Sequence, residues 1–274
     1  MAKKCTSRAR TQAAQADKYA LYQKAVQEPD NEVGFFDRVY RKAYGRPPLV
    51  LREDFCGTFA ICCRWAASRA DRRSIGIDLA TEPLEWGRRH NLAKLTAGQQ
   101  KRVQLLQDDV RAISSQKADV LAAQNFSFWI FKTRDELRQY FSTACRNLAK
   151  QGVMVLDMMG GSEVLEEDHT DVRSVDGCKY LWEQARVDPI THHAKYYIHF
   201  EFKDGSKLRR AFTYDWRLWT LPEVQELLLE AGFSEAHVYW EDADADSGDG
   251  NGNYRKRNSA PSDPAWIAYV VGIK

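Results

Sequence analysis

The chain has 274 residues, a length that suits one catalytic domain with extensions. Hydrophobic residues make up 44% and charged residues 28%, fractions that exclude collagen-like, coiled-coil and wholly disordered chains. The 40 Lys and Arg residues nearly balance the 38 Asp and Glu residues. The resulting net charge of +2 indicates neither a dedicated nucleic-acid binder nor a membrane-surface protein.

The sequence predicts neither a secretory signal nor paired cysteines, and a transit peptide is a weak alternative for its basic start. No stretch reaches the roughly 18 apolar residues that a transmembrane helix needs, and residues 1–15 lack the apolar segment of a secretory signal. The six cysteines form no CxxC pair and no metal-binding spacing with histidine. We therefore expect reduced thiols, no metal site, no membrane segment and a cytoplasmic location.

The leading segment, residues 1–48, is predicted to form a helical lid. Apolar side chains recur there at steps of three to four residues, as at Tyr19, Tyr22 and Val26, and Pro47 ends the segment.

Strands and helices are predicted to alternate over residues 49–160. The predicted strands are 49–54, 74–79, 103–110, 118–126 and 152–159, and the predicted helices are 55–70, 82–95 and 133–149. This alternation is typical of a parallel sheet covered by helices on both faces.

The remainder of the chain has a different pattern. Residues 161–220 carry three aromatic and β-branched runs, with Asp204-Gly205 as a hairpin signal, and are predicted to form an antiparallel insertion. Residues 221–274 are predicted to form a closing helix and a β-hairpin. The segment 241–264 between the last two strands is acidic, then basic and rich in glycine, and is predicted to be a mobile loop.

A ligand site is expected where the predicted parallel strands end, because such sheets bind ligands beyond their carboxyl edges. The residues at these ends are Glu53 to Thr58, Asp78, Asp108 to Val110 and Asn125 to Ser127. The first turn holds one glycine, Gly57, with Phe55 and Phe59 where a G-x-G-x-x-G loop needs small residues. Because those glycines allow close approach to a pyrophosphate, NAD and ATP are disfavoured as ligands.

The acids at these strand ends favour a nucleoside that carries positive charge. Asp78 can accept hydrogen bonds from a ribose diol, and Asp109 can accept from an adenine amine, with Val110 beside it. A nucleoside with a cation and no phosphate describes S-adenosylmethionine.

The motifs LREDFCGTFAIC, IGIDLATEPLEWGRRHN, QDDV, ADVLAAQNFSFWIF and GVMVLDMM resemble, in order, those of class I S-adenosylmethionine-dependent methyltransferases. The resemblance implies a Rossmann-like, doubly wound α/β fold, with a seven-stranded sheet whose last strand is antiparallel and a cofactor-binding core at 49–160. It places Asp78 at the ribose, Asp109 at the adenine and Asn125 near the methionine part. The implied cofactor-binding residues are Glu53, Phe55, Cys56, Gly57, Thr58, Asp78, Leu79, Asp109, Val110 and Asn125. Phe55 and Phe59 depart from the glycine-rich first motif.

Aromatic residues are candidates for the substrate side of the site. Tyr19 and Tyr22 can cover the pocket, and Tyr214, Trp216 and Trp219 can hold a cation against their rings. Core packing is the alternative for all five.

The predicted acceptor pocket lies between the leading helices and the insertion, and its aromatic and acidic lining favours a small amine or heterocycle over a nucleic acid. The sequence is compatible with a homodimer and does not determine the oligomeric state. The rival functions are an RNA or protein methyltransferase and a non-catalytic S-adenosylmethionine-binding protein.

Overall fold

The computed structural model describes residues 10–244 and 250–274, and within them the chain forms eight α-helices and twelve strands. The helices are α1 (Gln12–Gln15), α2 (Lys18–Val26), α3 (Pro29–Tyr44), α4 (Ala60–Ser68), α5 (Thr81–His90), α6 (Ala97–Gln100), α7 (Arg134–Asn147) and α8 (Leu221–Glu230). The strands are β1 (Val50–Asp54), β2 (Arg73–Asp78), β3 (Val103–Gln107), β4 (Ala118–Ala123), β5 (Leu148–Gly160), β6 (His169–Val175), β7 (Cys178–Val187), β8 (His193–Glu201), β9 (Lys207–Arg217), β10 (Glu235–Ala243), β11 (Gly250–Arg257) and β12 (Trp266–Ile273). Short 3-10 helices lie at Leu92–Lys94, Ser127–Ile130 and Glu163–Leu165.

The larger sheet has the order β11-β10-β12-β5-β4-β1-β2-β3. The strands β3, β2, β1, β4 and β5 are parallel to one another. In contrast, β12 is antiparallel to β5, β10 is antiparallel to β12, and β11 is antiparallel to β10. The order reverses between β1 and β4, which is the point where such sheets bind their ligands. The predicted Rossmann-like class with an antiparallel last strand is confirmed.

The predicted number of seven strands is wrong, because β11 adds an eighth. This strand lies in the segment 241–264, which was predicted to be a mobile loop, and it pairs with β10 from Val238–Arg257 to Ala243–Gly250. Tyr254 on β11 packs edge-on against the rings of Phe35 and Tyr269, at centroid distances of 6.0 and 4.6 Å. Those distant contacts order a segment whose local composition is typical of loops. Residues 245–249 of the predicted loop lie outside the described residues.

Successive residues of the central strands supply two separate cores. Val120 and Val153 pack with Phe36 on one face, under α3 and α4, and Leu121 and Met154 pack with α7 and α8 on the other. This alternation follows from the two-residue period of a strand, and helices on both faces explain why nearly every residue of β4 is apolar.

The second sheet has the order β6-β7-β8-β9 and is antiparallel throughout. The strand β6 was not predicted, since its polar, exposed sequence reads as a solvated loop. It is joined to β7 by Asp176 and Gly177, which have φ of 48° and 81° and close a two-residue hairpin.

Membrane-spanning helices and cysteine pairing were both addressed by the sequence. In residues 10–244 and 250–274, no helix combines the length and the apolar character that crossing a bilayer requires. The cysteines in those ranges are all free and buried, and Cys5 lies outside them.

Candidate active site

The turn after β1 has left-handed backbone at three alternate residues. Phe55, Gly57 and Phe59 have φ of 56°, 51° and 48°, a region that glycine enters at little cost and that costs other residues about 1 to 2 kcal/mol. The ring of Phe55 packs on Phe131 and Tyr140, with centroids 6.1 and 5.8 Å away, and Phe59 is fully buried. The two phenylalanines therefore keep the backbone of a glycine-rich turn and direct their rings into the core.

Gly57 faces open space beside the carboxylate of Asp78. A Cβ on Gly57 would meet no atom within 4 Å, so a ligand can approach this peptide closely. Asp78 accepts the Gly57 N–H at Oδ2 (2.7 Å) and the Ala80 N–H at Oδ1 (2.8 Å), which ties the end of β2 to the first turn. Each carboxylate oxygen keeps a lone pair for a further donor. The pair thus fits a hydroxyl-bearing ligand such as a ribose.

We expect Gly57→Ala to lower the free energy of unfolding by about 1 to 2 kcal/mol, because alanine is strained at positive φ while its methyl group meets no neighbour here. Urea denaturation measures the change. Gly98→Ala is the control, since Gly98 lies in helix α6 with equally free space and alanine should leave stability unchanged or raise it. Equal stabilities of the Gly57 variant and wild type would contradict the left-handed turn.

Glu53 lies on β1 with its carboxylate turned under α4, where Oε2 accepts the Cys62 N–H at 2.9 Å. The residue is 3% exposed, and loss of hydration raises its pKa from 4.5 to about 7. The carboxylate thus helps to anchor α4, and its predicted contact with the cofactor stays a prediction.

Glu53→Gln is expected to change the pH dependence of stability. A raised pKa in the folded state favours the protonated form, so its stabilising contribution is complete below pH 4.5 and lost as pH rises through about 7. Glutamine stays neutral throughout. The unfolding free energy of the variant relative to wild type should therefore rise by about 3 kcal/mol between acidic pH and pH 8. Urea titrations across this range measure it, and a constant difference would refute the shift.

The other residues predicted to bind the cofactor lie at the same edge of the sheet and differ in burial and in their partners. Asp109 forms an ion pair with Arg111 (2.7 Å), which lowers its pKa, and Leu79 is 67% exposed. Val110 and Cys56 are buried, and Thr58 accepts a hydrogen bond from Gln23 on α2.

Beneath this edge, Arg52 joins β1 to the loop after β3. It donates to Asp54 at 2.7 Å, to the Val110 carbonyl at 2.6 Å and to Ser114 at 2.7 Å. Tyr140 donates to the second oxygen of Asp54 at 3.0 Å. Arg52 and Asp54 are both fully buried, so this network sets the position of the loop that carries Asp109 and Val110.

A cavity of about 980 Å³ opens beside the ends of β4 and β5, near the upper limit typical of small-molecule sites. Its walls come from α2, α3, the inner face of the second sheet, β11 and β12. Of the residues predicted for the cofactor, only Asn125 lines it, and of those predicted for the substrate, Tyr22, Tyr214 and Trp216 do.

Asp157 shapes the cavity floor by holding the loop after β4. Its carboxylate accepts the N–H groups of Asn125 at 2.8 Å and Phe126 at 3.0 Å, and both residues have left-handed backbone, with φ of 57° and 56°. Asp157 is 9% exposed, and desolvation raises its pKa from 3.8 to about 6. A single carboxylate therefore fixes two strained residues where Asn125 was predicted to meet the cofactor.

The aromatic candidates divide between the cavity and the core. Tyr214 stacks on Trp216 with centroids 4.3 Å apart, and both line the cavity together with Tyr22. Trp219 donates to the Phe131 carbonyl at 3.1 Å and is 3% exposed, so the structure places it in the core, where packing takes the place of the predicted substrate contact. Tyr19 also lies outside the cavity wall and packs on Trp86 at 5.7 Å.

Helix α2 lies across the carboxyl edge and is tied down on both sides. Asp17, at its start, accepts from Trp86 at 2.6 Å, Lys18 pairs with Glu82 at 3.0 Å, and Gln23 donates to Thr58 at 2.7 Å. On the opposite side, Lys24 pairs with Asp176 of the second sheet. These polar ties are exposed or half-buried, so they can open at modest cost. The role of this helix as a lid stays a prediction.

Sequence reasoning missed Glu32, Asp157, Trp182, Tyr254 and Tyr269, all of which line the cavity. A signal existed for two of them. Asp157 interrupts the apolar run GVMVLDMM, and Glu32 shares the helical spacing of the buried Phe35 and Phe36. An acid in an apolar pattern is costly unless it has a partner or a function.

The fold defined by these elements is shared with several solved structures of methyltransferases, S-adenosylmethionine-dependent ones among them. No protein-family model matches the chain, and no curated protein matches its sequence.

Three solved structures show the likeness. The chain is similar to an S-adenosylmethionine-dependent methyltransferase from Clostridium acetobutylicum (TM-score 0.67, 15% identity, 93% of this chain and 96% of that chain covered). It is also similar to the amino pentose methyltransferase CalS10 from Micromonospora echinaspora (0.64, 17%, 93% and 95%). The sugar N-methyltransferase KedS8 from Streptoalloteichus sp. is a third (0.62, 18%, 94% and 93%). At these identities the likeness establishes the fold.

Proposed function

We propose that the protein is an S-adenosylmethionine-dependent methyltransferase that acts on a small-molecule acceptor. The observation that carries this proposal is the cavity beside the carboxyl ends of β4 and β5, enclosed by a helical cover and an aromatic second sheet. The turn after β1 and the end of β2 lie at the same edge of the sheet. Such an arrangement suits two ligands that must meet, one at the strand ends and one under the cover.

The residues at the first turn fit the cofactor. The open space at Gly57 and the adjoining carboxylate of Asp78 suit the ribose, and the loop of Asp109 and Val110 suits the adenine. Asn125, which lines the cavity, suits the methionine part at the side where the two ligands would meet. When bound, S-adenosylmethionine would supply an electrophilic methyl group. The protein then needs mainly to align the acceptor and exclude water, which can lower the barrier by about 7 to 11 kcal/mol.

The acceptor side favours a small cationic molecule over RNA. Seven Asp or Glu residues line the cavity against three Lys or Arg residues, so its charge opposes a polyphosphate. The solved structures with this fold include a sugar N-methyltransferase and an amino pentose methyltransferase, whose names describe amine-bearing acceptors. These observations support an amine acceptor.

Calorimetry with S-adenosylmethionine and S-adenosylhomocysteine tests the cofactor. Absence of binding at millimolar concentration would refute both a methyltransferase and a non-catalytic binding protein. Incubation with methyl-labelled cofactor and a metabolite extract, followed by mass spectrometry, then tests turnover. Binding without any labelled product would favour the non-catalytic protein, and labelled RNA or protein would favour the macromolecular rivals.

A further inference from the structure

Glu32 is a buried acid in the cavity wall whose carboxyl group has an oxygen without a hydrogen-bond partner. The residue lies in the first turn of α3, is 7% exposed and lines the cavity, and its Oε2 has no hydrogen-bond partner. Its position follows from the helix, because Phe35, Phe36 and Val39 share its inward face at steps of three to four residues. A buried carboxyl without a partner costs free energy, which a ligand with matching donors would offset.

Among the described residues, the charged groups that act on Glu32 are acidic. The ionisable side chains that act on it are Glu28 at the start of α3, Glu53 on β1 and Asp157 on β5, all of which are acidic. Tyr22 on α2 and Tyr269 on β12 are also within its electrostatic reach. Among the described residues, neither Glu32 nor Asp157 forms an ion pair, and burial raises the pKa of both.

We propose that Glu32 and Asp157 together bind the ammonium group of an amine acceptor, and that Glu32 accepts its proton before methyl transfer. The proposal rests on the proposed function and names the substrate class of that site. An ammonium carries up to three N–H donors, enough to serve both carboxylates that line the cavity, those of Glu32 and Asp157. A neutral hydroxyl offers one donor and leaves the two acids uncompensated.

The raised pKa of a carboxyl in this position suits the proton transfer. The acceptor R–NH₃⁺ gives one proton to the Glu32 carboxylate, which yields R–NH₂ and a neutral carboxylic acid. The nitrogen lone pair then bonds to the methyl carbon while the electron pair of the sulfur–carbon bond stays on sulfur, so the positive charge passes to nitrogen. The product ammonium and the acid of Glu32 each later release a proton to water.

Binding of a probe pair to the protein saturated with S-adenosylhomocysteine tests the assignment. The probes are D-glucosamine and its neutral counterpart N-acetyl-D-glucosamine, measured by calorimetry at pH 7.5. We expect the amine to bind at least about tenfold more tightly, and Glu32→Gln to remove that preference. The control Glu226→Gln, an exposed residue of α8, should retain it. Equal affinities in the wild type, including no binding of either probe at millimolar concentration, would overturn the proposal.

The pH dependence separates binding from a merely structural role. Protonated carboxyls do not attract an ammonium, so the preference of the wild type for the amine should fall as pH drops through about 6, the pKa of Asp157. Above pH 5, Glu32→Gln should also melt at a temperature about 2 to 4 °C higher than wild type, since glutamine removes the stability cost that a buried carboxyl with a raised pKa adds as pH rises. A lower melting temperature together with a retained amine preference would show that Glu32 serves packing alone.

The same samples distinguish failure of this inference from failure of the proposed function. S-adenosylhomocysteine binding by wild type and Glu32→Gln alike supports the methyltransferase site independently of the amine. If the cofactor binds and the amine preference is absent, only the role of Glu32 and Asp157 is refuted. If the cofactor itself fails to bind, the proposed function is refuted.

Discussion

Replacing Arg52 with methionine is expected to lower the free energy of unfolding by about 3 to 5 kcal/mol, the usual cost of leaving one partner of a buried ion pair alone. Arg52 and Asp54 have no exposed side-chain surface, and the guanidinium pairs with the carboxylate at 2.7 Å. The variant leaves the charge of Asp54 with only the hydroxyl of Tyr140 as a side-chain donor. It also frees the carbonyl of Val110 from its donor. Urea denaturation monitored by tryptophan fluorescence measures the loss.

Two control variants test whether the loss comes from the buried ion pair. Arg69→Met removes an exposed pair with Asp71 and should cost less than about 1 kcal/mol. The double variant Arg52→Met with Asp54→Leu removes both buried charges and should recover much of the lost stability. If Arg52→Met costs no more than Arg69→Met, the network does not anchor the loop after β3.

Asp78→Ala should weaken binding of S-adenosylhomocysteine at least about tenfold, the loss expected when charge-assisted hydrogen bonds to a diol are removed. Two effects act together here, because the carboxylate would bind the ribose and also holds the N–H groups of Gly57 and Ala80. Calorimetry measures the affinity, and the melting temperature without ligand reports any loss of fold.

Asp78→Asn separates the two effects. The amide retains one acceptor oxygen for the turn and loses the charge, so its affinity should lie between those of wild type and the alanine variant. Asp135→Ala, an exposed acid in the first turn of α7, is the matched control and should bind like wild type. An affinity of Asp78→Ala equal to that of the control would remove Asp78 from the site.

Local periodicity accounts for the parts of the fold that were predicted. The alternation of apolar strands with amphipathic helices over 49–160 predicted the five parallel strands and their succession along the chain, because each element buries one face and its sequence carries the matching apolar pattern. The polar edge strand β6 and the glycine-rich β11 escaped prediction. These two strands form because they pair with other strands of the folded sheets, and a local sequence pattern does not show such pairing.

The candidate site was predicted in part for a similar reason. Asp78 and Asp109 lie at the carboxyl ends of predicted strands and Gly57 follows one, so the rule for parallel sheets predicted all three at one edge. That rule does not predict which way each side chain points. Glu53 turns under α4, and Asp109 faces Arg111, because their neighbours in space provide donors there.

The sequence by itself determined the class of the fold, the edge of the sheet that holds the site and the acids at the strand ends, since all of these depend on residue spacing within single elements. The tertiary structure alone decided which side chains meet. Glu32 and Asp157 are 125 positions apart and belong to a helix and a strand, and the cavity joins them only because α3 packs over the sheet. Long-range packing of this kind leaves no periodic trace in the chain, because it depends on the relative placement of whole elements.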